Sequence, residues 1–275
     1  MSGQIMLTLR RLAGDIGGLL LVIGLMLLVS FLPPDTSLRE VEANNAIRAC
    51  IPRDYPPLVT GDPHRPGIDV ELLEAIKDHI GVRLLLNPVD AMGRDFNPRN
   101  WGISRAHCQV LAGGVVDSAL TRSFLDTGPP YAETGWAVIA PAPLEDIGDL
   151  SLGALTLVSG LDRIELSSYL RRRNVTVRVM RNAELLVEGI SSGALAGGIT
   201  EELLADGLAA ETGWWAAPLP DELARYNLVI GLWKGDLTLK RKIAEALEKM
   251  RDDGTLAAIL GRYGVTSAGL DGRGA

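Results

Sequence analysis

The chain has few of the residues on which metal and nucleophilic chemistry depend. Its 275 residues include two cysteines and three histidines, and neither type recurs at the spacing of metal ligands. No Ser-His-Asp set or glycine-rich phosphate loop is present in the sequence, and no carboxylate is distinguished as a general acid. The sequence therefore predicts that the protein is not an enzyme and binds no metal or other cofactor.

The sequence also lacks a basic surface. Asp and Glu outnumber Lys and Arg by 34 to 27, which gives a net charge of −7. Arg171, Arg172 and Arg173 form a short run of positive charge, and three arginines at a helix end are typical of a solvated terminus. We therefore expect no nucleic-acid partner. The composition, 47% hydrophobic and 22% charged, is typical of a globular protein with one large or two medium domains.

The N-terminus carries one long uncharged run. Arg10 and Arg11 precede residues 17–32, which contain no charged residue, and Pro33 and Pro34 follow. The run is longer than the roughly 7–15 residues of a signal-peptide core and shorter than the roughly 20 of a membrane span. No small-x-small cleavage site follows, which favours an uncleaved anchor over a removed signal peptide, with a buried core helix as a third interpretation. We expect export to the periplasm, with a tether to the inner membrane if the segment is kept.

The two cysteines could form a disulfide bond. Cys50 lies in the apolar run 46–51, and Cys108 begins the run 108–112. If the two predicted strands are neighbours, their Cα atoms could approach the roughly 5.5–6 Å that a disulfide requires. Export would permit the bond, and two buried free thiols are the alternative. We favour the disulfide.

Helical and strand-like patterns alternate along the rest of the chain. Apolar residues recur at helical spacing in residues 67–80 and 239–250, whereas residues 82–88 and 136–140 are short apolar runs typical of strands. A second alternating set extends from residue 154 to residue 208. Alternation of this kind predicts an α/β fold with parallel sheets and helices on their faces.

The closing segment, with the motifs ahead of it, carries a family resemblance. An aromatic strand at residues 226–233 leads through Lys234-Gly235-Asp236 into an amphipathic helix, a turn and a short last helix. Earlier in the chain come the helix start Gly67-Ile-Asp-Val-Glu-Leu72, the Pro129-Pro130-Tyr131 step and the turn Val158-Ser-Gly-Leu161. The ordered set, over about residues 45–265, resembles the bacterial periplasmic solute-binding proteins of the amino-acid type, family 3.

This resemblance implies two α/β lobes joined by hinge strands, the type II periplasmic-binding-protein arrangement, after an N-terminal hydrophobic helix. The implied divisions are a signal peptide or anchor (1–35), a linker (36–45), lobe 1 (46–137 and 226–266), lobe 2 (138–225) and a flexible tail (267–275). Family members capture a small polar molecule, an amino acid or a related solute, for the permease of an ABC-type importer. We therefore expect a monomer that binds such a molecule.

The resemblance also implies a ligand site. Tyr55 matches the aromatic residue that stacks on the ligand, and Glu201 the acid that binds its ammonium group. Ser159 and Gly160 match the turn that presents a hydroxyl and backbone N–H groups. Arg122 stands for the arginine that clamps the ligand's carboxylate, although it lies nine residues before Tyr131 and the family pattern is shifted by one. The alternatives are that Tyr55 is a packed loop tyrosine, that Glu201 is an ordinary acid at a helix start and that Arg122 is a surface arginine.

Two other functions remain open. Family-3-like proteins that accompany quinoprotein methanol dehydrogenases share a cysteine at the end of the first strand and another that opens a later strand, which resembles the placement of Cys50 and Cys108 here. Such a protein would bind the dehydrogenase rather than deliver a nutrient. A few members of the fold are cyclic-diene dehydratases. The sequence does not identify the ligand.

Overall fold

The computed structural model describes residues 16–26, 35–92, 97–156, 161–220 and 222–265. The chain divides into two units at residue 36. In the first unit, residues 16–26 form a helix with exposed side chains. Within the described ranges, no helix has the length and apolar character needed to cross a membrane. The rest of the predicted anchor and the predicted tail lie outside the described residues.

The second unit contains two five-stranded sheets, with the orders β2-β1-β3-β10-β4 and β7-β6-β8-β5-β9. We refer to the first sheet with its helices as lobe 1 and to the second as lobe 2. The strands are β1 (Ala46–Ile51), β2 (Arg83–Pro88), β3 (Val110–Leu111), β4 (Leu125–Thr134), β5 (Trp136–Ala140), β6 (Ser151–Ala154), β7 (Thr176–Val179), β8 (Gly197–Glu201), β9 (Trp215–Pro218) and β10 (Tyr226–Trp233).

Helices pack against both sheets and complete the two α/β lobes that the sequence predicts. They are α1 (Ser37–Ala43), α2 (Ile68–Ile80), α3 (Ala119–Phe124), α4 (Arg163–Arg172), α5 (Ala183–Ser191), α6 (Glu202–Thr212), α7 (Leu237–Asp252) and α8 (Thr255–Arg262), with a 3-10 turn at Pro98–Asn100. The apolar face of α7 is buried as its helical spacing predicts, and Leu239, Ile243 and Leu247 are fully enclosed.

The sheets are mixed, whereas the sequence predicted parallel ones. β1 pairs in parallel with β2 and β3, but β10 runs antiparallel to both β3 and β4. In lobe 2, β5 is antiparallel to β8 and β9. The difference arises because the chain passes into lobe 2 between β4 and β5, at Gly135, and returns through β10. The chain therefore passes from one sheet to the other at residue 135.

Strand β4 was missed by the sequence analysis, because its Gly128, Pro129 and Pro130 are typical of a loop. β4 lies at the edge of its sheet, and an edge strand tolerates proline because one side of its backbone needs no hydrogen-bonding partner. Its pairing with β10 is irregular beside the prolines, with register shifts on either side of Val229. An apolar run alone could not have revealed such a strand.

The predicted linker at residues 36–45 contains helix α1 and packs on lobe 1. Val41 is fully buried, and the Ser37 hydroxyl lies 3.1 Å from the hydroxyl of Thr238 at the start of α7. The Leu239 N–H also donates to the Ser37 hydroxyl, at 3.3 Å. The segment has a polar composition because only one side of the short helix packs against lobe 1. The sequence therefore did not distinguish it from a linker.

A disulfide bond joins Cys50 to Cys108, with their Cα atoms 5.6 Å apart. β1 and β3 are neighbours, with Cys50 opposite Leu111. Both cysteines are fully buried in a cluster with Met92, Trp101 and other apolar side chains. The bond therefore ties the segment that precedes β3 to the centre of the lobe 1 sheet.

Replacing both cysteines should lower the free energy of unfolding. The bond spans a sequence separation of 58 residues, and loop closure of that size is worth about 4 kcal/mol in the chain-entropy description. Chemical denaturation of Cys50→Ala/Cys108→Ala and of the unaltered protein, each with and without a reductant, measures the difference. The reductant should destabilise only the unaltered protein, and equal stability of the two without reductant would contradict the prediction.

Candidate ligand-binding site

Two acidic side chains are buried where the lobes meet. Asp69, in the first turn of α2, is fully enclosed, and Glu201, at the end of β8, is 1% exposed. Burial of a carboxylate is costly unless donors surround it. Both acids are held by such donors, and the donors come from both lobes.

The Glu201 carboxylate accepts four hydrogen bonds. One oxygen accepts from the Thr134 hydroxyl and from the Leu203 N–H at 3.0 Å. The other accepts from the Leu204 N–H at 3.1 Å and from the Tyr55 hydroxyl at 3.4 Å. A carboxylate has about four acceptor positions, so the set is complete. Glu201 caps helix α6 of lobe 2 and is joined to lobe 1 through the Thr134 and Tyr55 hydroxyls.

Asp69 organises the lobe 1 side of the site. Its carboxylate accepts from the Tyr131 hydroxyl at 2.5 Å and from the N–H groups of Gly113 and Gly114. Both glycines have φ near +90°, at 88° and 87°, a conformation that other residues rarely adopt. A Cβ atom on Gly114 would lie 2.9 Å from the Tyr55 ring. Glycine at this turn therefore allows the Tyr55 ring to lie against the backbone that Asp69 holds.

The two acids and the two phenols form one electrostatic unit. Burial raises the pKa of Asp69 to about 6 and that of Glu201 to about 7, although hydrogen bonds partly oppose both shifts. Burial, with Glu201, raises the pKa of Tyr55, and burial, with Asp69, raises that of Tyr131. We refer to Tyr55, Asp69, Tyr131, Thr134 and Glu201 as the carboxylate centre. At neutral pH it is acidic, and a cation or a hydrogen-bond donor complements it.

The structure brings together two of the five predicted ligand residues, Tyr55 and Glu201. Arg122 is elsewhere: its guanidinium makes a two-pronged ion pair with Asp117, at 2.6 and 2.7 Å, and its side chain is 63% exposed. Asp117 raises the pKa of Arg122, and Arg122 lowers that of Asp117. A ligand carboxylate would have to compete with Asp117. Ser159 and Gly160 lie outside the described residues.

A cavity of about 420 Å³ lies between the lobes near the hinge strand β10. Ser118 and Leu120 line it from lobe 1, Asp162 and Arg163 from lobe 2, and Tyr226 from β10. Its volume is within the roughly 300–1,000 Å³ of small-molecule sites. The interface between the lobes thus contains the buried acidic centre and, lined by other residues, this cavity, which has side chains of both charges.

Asp69, Tyr131 and Thr134 were not predicted as site residues. The first two belong to motifs that carry the family resemblance, and Asp69 is an acid between Ile68 and Val70 in an apolar helix start. That position was a usable signal, because an acid on a buried face needs a partner. Thr134 gave no signal, since it lies in the strand that the sequence analysis missed.

The comparison with protein families agrees with this two-lobed geometry. Residues 47–266, more than half of the chain, match the bacterial extracellular solute-binding proteins, family 3. The chain belongs to this family. The resemblance stated from the sequence is thereby confirmed, whereas the branch associated with quinoprotein dehydrogenases stays a prediction.

Solved structures of amino-acid-binding proteins share the fold. An ancestral cationic amino acid solute-binding protein is 17% identical, with a TM-score of 0.66 over 82% of this chain and 99% of that one. A Streptococcus pneumoniae uptake-transporter protein with bound histidine is 16% identical, with a TM-score of 0.67 over 83% and 96%. An amino acid ABC transporter substrate-binding protein from the same species, bound to L-arginine, is 18% identical, with 0.63 over 82% and 97%. Their shared architecture confirms the predicted type II fold.

A curated relative is the membrane-bound lytic murein transglycosylase F of Aeromonas salmonicida (strain A449). It is 23% identical over 253 residues, which are 89% of this chain and 47% of the relative. The chain therefore spans about half the length of this relative. The lytic transglycosylase activity in that name is a property of the relative.

Glu201 should make stability depend on pH. Its pKa rises from 4.5 to about 7 on folding, so between these values the folded protein keeps a proton that the unfolded chain releases. The free energy of unfolding should therefore decrease as pH rises through this window. In Glu201→Gln that decrease should be smaller by about 3 kcal/mol. Urea denaturation from pH 4.5 to pH 8 measures it.

The control is Glu248→Gln, which changes an exposed glutamate on α7 and should leave the pH dependence intact. If Glu201→Gln retained the full dependence of the unaltered protein, the protonation of Glu201 would not be its source.

Proposed function

We propose that the chain is an exported solute-binding protein that captures a small polar molecule with an amino group, an amino acid or a related solute, between its lobes. The observation that carries this proposal is Glu201, a buried carboxylate of lobe 2 that Tyr55 of lobe 1 contacts at 3.4 Å. Family membership and the amino-acid-bound relatives support it.

The arrangement of donors around Glu201 determines how such a solute would bind. Three of the four donors, Thr134 and the N–H groups of Leu203 and Leu204, lie at 3.1 Å or less, whereas the Tyr55 hydroxyl is the longest at 3.4 Å. Tyr55 is therefore the donor most readily exchanged. An ammonium group in its place would add a charge-assisted hydrogen bond, which is stronger than a neutral one.

This exchange couples binding to lobe movement. Tyr55 and Glu201 belong to different lobes, so their contact requires closure, and rotation about the hinge strands β4–β5 and β10 would separate them. A solute that contacts both lobes stabilises the closed arrangement by its differential affinity for it. The closed form is the species that we propose docks on an ABC-type permease. The uncharged N-terminal run supports export to the periplasm, with a membrane tether if it is uncleaved.

A second candidate is an accessory protein of a periplasmic quinoprotein dehydrogenase. Two observations favour it: the acceptor positions of Glu201 are already filled, and Arg122 is held by Asp117. A cleft satisfied by its own side chains needs no solute, and the placement of Cys50 and Cys108 resembles that of the accessory branch.

A screen of amino acids, small acids and amines by thermal shift, followed by calorimetry of each hit, tests the proposal. We expect an amine-bearing solute to bind and Glu201→Gln to weaken it by roughly tenfold or more, because a charge-assisted hydrogen bond is worth about 1.5–3 kcal/mol. Glu248→Gln is the matched control and should bind as the unaltered protein does.

If no small solute binds, or if hits bind Glu201→Gln unchanged, the proposed solute capture is wrong. Affinity capture from an exported extract then tests the accessory role. A quinoprotein dehydrogenase among the captured proteins would support that role, and permease components alone would contradict it.

Removing the Tyr55 hydroxyl should strengthen solute binding. Tyr55→Phe keeps the ring but frees one acceptor position on Glu201, so the solute no longer displaces a hydrogen bond worth about 0.5–1.5 kcal/mol. We expect a roughly threefold to tenfold gain in affinity for the same solute, measured by calorimetry. A loss of affinity would mean that the hydroxyl itself contacts the solute.

A further inference from the structure

A second interlobe cavity lies apart from the carboxylate centre. Its volume is about 760 Å³, and it lies between the loop that follows Tyr55 in lobe 1 and helices α5 and α6 in lobe 2. None of the five predicted ligand residues lines it, and neither do Asp69, Tyr131 and Thr134. We refer to it as the α5–α6 groove.

The floor of the α5–α6 groove is apolar. Pro57 contributes from lobe 1, and Val187, Leu204 and Leu208 contribute from lobe 2. Leu204 is 6% and Leu208 8% exposed, so the floor belongs to the packed interior of lobe 2. Its volume is in the range of small-molecule sites, and a slender apolar chain would be the complementary shape.

The rim of the groove is acidic. Glu184 and Glu188 lie one turn apart on α5, and Glu211 lies on α6. In the described part of the chain, no ion pair includes any of these three glutamates. Burial and then Glu184 raise the pKa of Asp54, which indicates that a fourth carboxyl group lies near the rim.

Arg65 is the one cationic side chain that the described lining includes, and it is already engaged. Its guanidinium donates to the Arg262 carbonyl at 3.0 Å and lies 5.0 Å from the centre of the Tyr263 ring. Tyr263 is itself held, because its hydroxyl donates to Glu71 at 2.7 Å. Both partners of Arg65 are neutral, so its charge remains, but three glutamates against one arginine still give the lining of the groove a net negative charge.

We propose that the α5–α6 groove is a second binding site, for an organic cation with a methylene backbone and two or more ammonium groups, such as a linear polyamine. Its backbone would lie on Pro57, Leu204 and Leu208, and its ammonium groups would pair with Glu184 and Glu188 on one side and Glu211 on the other. A neutral apolar molecule would leave the acids unpaired, and an anion would be repelled.

Occupation of this site would also act on the lobes. Pro57 belongs to lobe 1, and Glu188 and Leu208 belong to lobe 2, so a bound polyamine would contact both. It would favour closure in the same way as a solute at the carboxylate centre. Two ligands that favour one conformation raise each other's affinity, and we expect positive coupling between the two sites.

Calorimetric titration of the full chain with spermine tests this site. We expect binding that weakens roughly tenfold or more in Glu184→Gln/Glu188→Gln, and 1,8-octanediol, which has a methylene backbone but no charge, should not bind. The matched control is Glu245→Gln/Glu248→Gln, which removes two carboxylates from the exposed side of α7. That variant has the same net charge as the groove variant and should bind spermine as the unaltered protein does.

Three outcomes would overturn the proposal. The first is failure of spermine to bind at millimolar concentration. The second is an equal loss of affinity in both double variants, which would indicate general attraction to an acidic protein. Spermine binding could instead be lost in Glu201→Gln, which would place the cation at the carboxylate centre. Because the solute screen uses that variant independently, failure of the groove site and failure of solute capture are distinguishable.

Discussion

The burial of the Glu201 carboxylate is the constraint on which the rest of the site depends. A carboxylate without solvent requires donors at its acceptor positions. The N–H groups of Leu203 and Leu204 in lobe 2 supply two, and the Thr134 and Tyr55 hydroxyls of lobe 1 supply the other two. The need for these donors determines where α6 begins and where β4 ends, and it favours the closed arrangement of the lobes.

Lobe 1 is built so that Tyr55 reaches Glu201. Asp69 holds the backbone of Gly113 and Gly114, and the absence of side chains there leaves room for the Tyr55 ring. The disulfide bond at Cys50 anchors the strand from which the Tyr55 loop departs. The contacts that stabilise lobe 1 therefore also place the donor at the lobe interface, so folding and the ligand capture that we propose would depend on the same residues.

Much of the fold could be predicted because local patterns and tertiary packing agree. The helix at Arg163–Arg172 and the amphipathic α7 lie where their spacing predicts. β4 could not be predicted, because proline tolerance depends on being at a sheet edge, which is a property of topology. Tyr55 and Glu201, which motifs predicted as ligand residues, lie in contact, but a motif does not show that Arg122 has Asp117 as its partner. Local sequence indicates which residues could bind a ligand, and tertiary packing determines which of them are not already paired with another side chain.

The availability of Glu201 also limits what the cleft can select. Because its acceptor positions are filled, a ligand gains there only by supplying a donor better than the Tyr55 hydroxyl at 3.4 Å. An ammonium group meets this requirement, whereas a carboxylate or an apolar group does not. Near pH 7 the carboxyl is close to its own pKa, so an ammonium group would also have to displace a proton in part of the population. Affinity for such a solute should therefore increase with pH until Glu201 is fully ionised. Over the same range, the contribution of Glu201 protonation to the free energy of unfolding decreases.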